Sequence, residues 1–319
     1  MIWSLGSVIG ALTSNKRISD FSSESLIEMK LFDSETGIGI GIDGFGQRVL
    51  VLPGQEDVSG FNTTNADFDP VCMVSWLEKE VSLPKTATLT CRSDFSNPSV
   101  LEAVAVVFLG LIELQEKFGM SGRAIWQMKA LFENGFKKTF TDDALIGLIG
   151  EILLIDKSAN PEATIRFWHS NPSDAFDFSS ENFRLEVKTS RSVSRNHSFS
   201  SNQIGTVHDS KLMIASLVID KVESGSTLKD IVDEVSDKIS HASAQLLSER
   251  IIGILGCGPE LATELMFDKF STISSLIFVE GSAVPKPISE PGVISMSWIA
   301  SLVDSPRVDL PLDEILRRF

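Results

Sequence analysis

Tyrosine is missing from this chain of 319 residues, cysteine occurs three times, histidine four times, and 28 Lys and Arg face 43 Asp and Glu. The missing tyrosine costs little. Hydrophobic residues make up 43 % and charged residues 22 %, a globular profile rather than a disordered one. Cys72, Cys91 and Cys257 are far apart and show no CxxC or Cys/His spacing, which excludes a zinc finger or ribbon and leaves buried free thiols as the expectation. His169, His197, His208 and His241 likewise repeat at no ligand spacing. The net charge of −15 excludes a surface that grips nucleic acid by its overall field, because that affinity comes mainly from cations neutralising phosphates. Any DNA contact must be local or helped by a partner. Long apolar runs are also scarce: residues 104–112 are flanked by Glu102 and Glu113, short of the ~20 residues that span a bilayer. The apolar start, 1–12, has no preceding positive charge and is followed by Lys16 and Arg17. Neither a membrane segment nor a signal peptide is expected, and the expected location is the cytoplasm.

The length favours two or three domains. Period-two patterning in 26–53 and 85–92 gives a β-rich N-terminal domain, taken as 1–97. Within it Gly39-Ile40-Gly41-Ile42-Asp43-Gly44 matches the GxGxxG dinucleotide fingerprint letter for letter. The fingerprint requires a helix after the strand, whereas this run leads into Val49-Leu50-Val51-Leu52-Pro53, another strand, so nucleotide binding is not expected. Helical patterns follow at 100–118, 124–132 and 142–155, with Thr141 as a cap and Asp142 and Asp143 complementing the helix dipole. Strand patterns return at 164–168, 175–178, 183–189 and 212–219, giving a second part over 98–222. The remainder, 223–319, reads as helical and mixed. In that part Gly256-Cys257-Gly258 resembles the turn of a helix-hairpin-helix element, but Glu260 and Glu264 follow where positive charge is wanted, so a structural corner is expected.

The segment 175–190 carries the chemistry. It reads as two strands joined by the polar turn 179–182. Alternation turns Phe183, Leu185 and Val187 to one side and Arg184, Glu186 and Lys188 to the other. Asp177 is opposite in sense to Phe176 and Phe178, so Asp177, Glu186 and Lys188 can share one face of a hairpin. Two carboxylates and an ammonium so placed suit a divalent-metal phosphodiesterase: Asp177 and Glu186 would hold Mg²⁺, and Lys188 would orient or deprotonate the attacking water. A solvated strand face would show the same Glu-x-Lys letters.

Upstream, Gly147-Leu148-Ile149-Gly150-Glu151 places a lone carboxylate in an apolar helix, where a metal site would satisfy it and a narrow polar stripe is the alternative. Downstream, Ser200, Ser201 and Gln203 supply polar groups just past the strand; Gln203 is the one expected near substrate, with a helix-cap network as the equal alternative. Arg184, Lys188, Arg191, Arg195 and His197 form a basic strip that could steer a phosphate backbone.

Asp-(x)8-Glu-x-Lys on such a hairpin resembles the PD-(D/E)XK nucleases. The order of Trp126, Gly-Leu-Ile-Gly-Glu, Trp168, Phe-Asp-Phe, Leu-Glu-Val-Lys-Thr-Ser and Ser-x-x-Gln is similar to a bacterial group of that superfamily found in restriction and phage-defence gene clusters. Phe176 stands where the eponymous Pro would be. The resemblance covers roughly 120–220 and implies an α+β protein whose restriction-endonuclease-like core has a mixed sheet flanked by helices. It further implies hydrolysis of DNA with Mg²⁺ (or Mn²⁺), and membership of a multi-gene defence system. On this reading Glu151, Asp177 and Glu186 are the metal-binding carboxylates and Lys188 the water-activating cation, while Gln203, Ser200, Arg191 and Arg195 meet the substrate. DNA and other subunits of a defence system are the expected partners, and a homo-oligomer is compatible. The rival is a catalytically inactive subunit that keeps the fold to bind DNA or a partner. RNA as substrate is a remoter one.

Overall fold

The computed structural model describes residues 3–15, 27–53, 61–63, 65–76, 79–93, 95–119, 124–126, 128–133, 140–169, 176–204, 211–259, 262, 265–288 and 293–319. They form two compact units, Met1–Phe140 with Ile251–Leu261, and Thr141–Arg250 with Ala262–Phe319.

The first unit opens with α1 (Leu5–Thr13), capped by the Ser4 hydroxyl, which accepts from the Ser7 N–H. Five strands then close a barrel: β1 (Ile27–Phe32), β2 (Gly39–Ile42), β3 (Arg48–Pro53), β4 (Ala66–Trp76) and β5 (Lys79–Cys91), in the order β1-β2-β3-β5-β4. All neighbours are antiparallel except β1 and β4. Ile27, Met29, Phe32, Val49, Val51 and Val74 pack as one apolar cluster. The glycine run at 39–44 forms a hairpin: Asp43 Oδ1 accepts from the N–H groups of Phe45 and Gln47, and Gly46 takes φ +84°. Its glycines answer to packing, since a Cβ on Gly39 would lie 1.9 Å from Met29 Cε and one on Gly41 2.8 Å from the Glu28 carbonyl oxygen.

In the same unit α2 (Pro98–Phe118) starts at Asn97, has Pro at its first position and ends on Gly119 at φ +65°. As formed, the helix has 21 residues and is long and apolar enough, by length and composition alone, to cross a membrane. The 104–112 run underestimates it because Glu102 and Glu113 do not end the helix. Val104, Phe108, Leu111 and Ile112 are buried, and Gln115 Nε2 donates to the Pro53 carbonyl at 3.0 Å. A short helix, α3 (Lys129–Glu133), is tied to the barrel by Asn65, whose amide donates to the Phe132 and Glu133 carbonyls.

The second unit is built on α4 (Asp142–Lys157), whose N-terminus is capped by Thr141 Oγ1 accepting from the Ala144 N–H. Then come α5 (Pro161–Phe167), β6 (Phe178–Ser179), β7 (Phe183–Ser190), β8 (Asn196–Ser200), α6 (Ser201–Ile204), β9 (Lys211–Val218) and β10 (Lys221–Ser226). They are followed by α7 (Leu228–Ser236), α8 (His241–Leu255, whose residues from Ile251 on belong to the first unit), α9 (Lys269–Ser274), β11 (Ile277–Glu280), β12 (Ser297–Ser301), β13 (Arg307–Val308) and α10 (Leu312–Leu316). One mixed sheet runs β13-β11-β9-β7-β6, with β7 and β9 parallel and the other neighbours antiparallel. A second, two-stranded sheet pairs β8 with β12. This is the expected α+β arrangement of a mixed sheet flanked by helices.

One element differs from the reading of its sequence. Against the strand expected at 164–168, residues 164–167 lie in α5, and Trp168 follows the helix in extended backbone and bridges to Phe178. Asn160 accepts from the Ala163 N–H, Pro161 occupies the first turn and Glu162 complements the dipole, and these start signals outweigh β propensity. Of the strand expected at 175–178, Ala175 lies outside the described residues and only Phe178 is in β6.

Candidate active site

The hairpin register sets the first pair of acids. Phe178 lies opposite Leu185 and Ser179 opposite Arg184, so the register, continued one step, puts Asp177 opposite Glu186 on one face. Asp177 Oδ2 accepts the Val187 N–H at 2.7 Å. Glu186 Oε1 accepts from Lys188 Nζ at 2.7 Å and from Gln203 Nε2 at 2.8 Å. Its other oxygen, Oε2, is buried and has no hydrogen-bond partner among the described residues.

Glu151 arrives from α4 because of the glycine before it. A Cβ at position 150 would stand 2.0 Å from Thr189 Oγ1, so only glycine lets this helix lie so close on β7. Glu151 is nearly buried, and its Oε2 accepts from Trp168 Nε1 at 2.7 Å and lies 2.8 Å from His169 Nε2. That His169 nitrogen is also 3.9 Å from Asp177 Oδ1. His169 has φ +41°, a left-handed backbone that a non-glycine residue adopts at some cost, and its N–H donates to the Asp177 carbonyl at 2.8 Å.

Burial and mutual repulsion define the electrostatics. The Asp177 carboxyl is pushed well above the ordinary carboxylate range by burial first and then by the charges of Glu151 and Glu186; the Val187 N–H and Lys188 only partly offset this. Glu186 is raised by burial, against the pull of Lys188. A divalent cation would relieve both effects. The donor set fits one: ligand atoms of Glu151, His169 and Asp177 lie within 4.8 Å of one another, while Glu186, outside that group of three, keeps a buried oxygen with no hydrogen-bond partner among the described residues.

The other residues singled out by sequence fall in several places. Gln203 sits in the cluster, on Glu186, and Ser200 Oγ accepts from the Gln203 N–H at 3.3 Å, so the short α6 positions that amide. Lys188 Nζ also lies 5.6 Å from the centre of the Phe199 ring. Arg191 lies at the surface, paired with Asp142 at 3.1 Å. Arg195 is turned inward: its guanidinium donates to the Ser216 carbonyl at 2.8 Å, to Ser216 Oγ at 3.0 Å and to the Ser275 carbonyl. Those carbonyls and the hydroxyl occupy the guanidinium that the sequence suggested for a phosphate. His197 is buried on Ser216 Oγ at 2.8 Å, and burial, then Lys188 and Arg195, push its pKa down to about 4. The basic strip is thus not one continuous surface. The sequence gives no signal for Trp168 as the donor to Glu151 or for His169 beside Glu151 and Asp177, because the Trp168–Phe178 bridge that brings them there has no local signature.

A helix carrying a buried Glu, laid against an antiparallel hairpin with Asp on one strand and Glu-x-Lys on the next, defines a restriction-endonuclease-like core. The family model DUF4420, described as "Putative PD-(D/E)XK family member", matches residues 122–285, just over half of the chain, and the chain belongs to that family. No curated protein and no solved structure matches it.

Proposed function

We propose that the chain is a metal-dependent deoxyribonuclease that cuts phosphodiester bonds within DNA, as a cytoplasmic subunit of a bacterial restriction or phage-defence system. The observation that carries the reading is the convergence of Glu151, Asp177 and Glu186, with one Glu186 oxygen buried and unpartnered. Three carboxylates gathered where burial raises the proton affinity of Asp177 and Glu186 are costly to keep unless a cation completes them. Bound Mg²⁺ or Mn²⁺ supplies a Lewis acid for the phosphoryl oxygen and lowers the pKa of a bound water.

The chain's own groups do the rest. Glu151, Asp177 and Glu186 would hold the ion. Trp168 and Gln203 fix the aim of Glu151 and Glu186 by donating to one oxygen of each. Lys188, whose ammonium rests on Glu186, orients the attacking water and takes part in its proton transfer. Arg191, exposed and paired with Asp142, meets the DNA backbone. The acidity of the whole chain supports partner subunits that supply most of the DNA affinity.

The test is cleavage of modified and unmodified plasmid by the purified protein with Mg²⁺, Mn²⁺ or EDTA. Lys188→Ala is expected to lose cleavage by about 10²–10⁴-fold while metal binding, measured by calorimetry, persists. Cleavage that continues in excess EDTA, or survives Asp177→Ala, removes the reading.

A further inference from the structure

We propose that His169 supplies Nε2 as a nitrogen ligand to the ion held with Glu151 and Asp177, and that this mixed set prefers first-row transition ions to Mg²⁺. The inference rests on the metal-nuclease reading and names the ion that site selects. Three observations carry it.

The first is distance. Nε2 is 2.8 Å from Glu151 Oε2 and 3.9 Å from Asp177 Oδ1. Ligand atoms about 2.1 Å from an octahedral ion lie roughly 3.0 Å apart when adjacent and roughly 4.2 Å when opposite. The 2.8 Å separation is close to an adjacent pair and the 3.9 Å one lies between the two values, so an ion entering the cluster would meet the imidazole after Asp177 Oδ1 shifts modestly.

The second is the way the ring is held. His169 keeps φ +41°, and its N–H is bonded to the carbonyl of Asp177, so two ligand-bearing residues are pinned to each other through the backbone. Such strain persists only where the surroundings enforce it and is found at functional positions. Trp168, fully buried, fixes the Glu151 oxygen that the ring faces. Nε2 and Glu151 Oε2 share a hydrogen bond, and a ring carrying its hydrogen on Nδ1 would present the Nε2 lone pair to an ion.

The third is Glu186, which lies outside the group of three but whose charge reaches Asp177, and whose Oε2 is buried with no hydrogen-bond partner among the described residues. It marks the cluster as more than a ring of mutually bonded acids. Mg²⁺ favours oxygen ligands and gives up water reluctantly, whereas imidazole adds affinity for transition ions, rising from Mn²⁺ toward Cu²⁺.

Calorimetry with Mn²⁺ and Mg²⁺ separately, and pulsed EPR of the Mn²⁺-loaded full chain, test this. Expected are Mn²⁺ binding tighter than Mg²⁺ by about 10-fold or more, and a ¹⁴N modulation in the wild-type spectrum that disappears in His169→Ala. That variant should lose about 10-fold or more in Mn²⁺ affinity while Mg²⁺ affinity moves by less than about 3-fold. The wild-type spectrum needs no variant, so a misfolded His169→Ala does not remove the test. A Mn²⁺ spectrum without nitrogen coupling, or coupling that survives in folded His169→Ala, overturns the role of His169 and leaves the nuclease reading standing. No binding of either ion overturns both.

Discussion

Helix α4 buries two carboxylates five residues apart, and their surroundings are opposite. Asp156, with a fully buried side chain, is met by Lys238 Nζ at 2.5 Å, Lys269 Nζ at 2.9 Å and Lys157 Nζ at 3.2 Å. Burial pushes its carboxyl up, but Lys238 and Lys269 outweigh that and hold it below its ordinary value. Glu151 meets Trp168 and His169 instead of ammonium groups and stands near two more acids, one of which, Asp177, is raised by it. The same helix thus carries one acid whose charge is neutralised within the protein and one whose charge is left to something from outside. Buried charge by itself does not mark a site. The sign of the unmatched charge around it does.

The largest expected effect separates the two ends of the helix. Asp177→Asn should reduce cleavage by about 10³-fold or more and leave the metal-free protein as stable or more so, because it removes a penalised charge. Asp156→Asn should do the reverse: cleavage within about 3-fold of wild type, and a stability loss of roughly 1–3 kcal/mol, below the value for a wholly buried pair because Lys238 is partly exposed. Denaturant titration with plasmid cleavage reads both. Equal losses of activity in the two variants would erase the distinction.

A smaller effect is expected at the contact that brings Glu151 in. Gly150→Ala puts a methyl group on Thr189 Oγ1, so α4 must move off β7, with a stability loss of about 1–3 kcal/mol. Cleavage should fall further than stability predicts, because Glu151 moves with the helix. Gly147→Ala is the control, since a Cβ there meets nothing within 4 Å. It should be neutral or slightly stabilising.

The smallest effect is on pH dependence. Asp177 and Glu186 have folded pKa values above their unfolded ones, so the folded protein binds more protons and their ionisation opposes folding. In EDTA, stability should therefore rise as pH falls from neutral toward the ordinary carboxylate range, where the unfolded chain begins to take up the same protons. Asp177→Asn should flatten that rise. Melting temperatures at pH 7.5 and 5.5 check it, with about 2–4 °C expected for each kcal/mol. A wild-type slope of opposite sign, unchanged in the variant, would show that other groups dominate.

What the sequence made legible follows from periodicity. Period two placed Glu186 and Lys188 on one side of β7, and an acid in an apolar 3.6-residue pattern singled out Glu151. Both are local properties. The inward turn of Arg195 depends on carbonyls 21 and 80 residues away, so its letters alone suggested a phosphate contact. His169 escaped because ligand spacing is a rule for ligands on one element, whereas its approach to Asp177 runs through a long-range bridge and a left-handed backbone. The helix at 161–167 was legible in Asn160 and Pro161, but aromatic and β-branched content drew the reading toward a strand.

The double clamp on Glu186 Oε1 also has a thermodynamic consequence. With Lys188 and Gln203 both donating to one oxygen, the carboxylate has lost its rotational freedom before any ion arrives, and Oε2 is left at a fixed heading. Ordering a side chain on binding costs roughly 0.5–1.5 kcal/mol, and here folding has already met that cost. Ion capture at this oxygen should carry a small ordering entropy, and in Gln203→Ala the same affinity change should appear mainly as a more unfavourable binding entropy rather than as lost enthalpy.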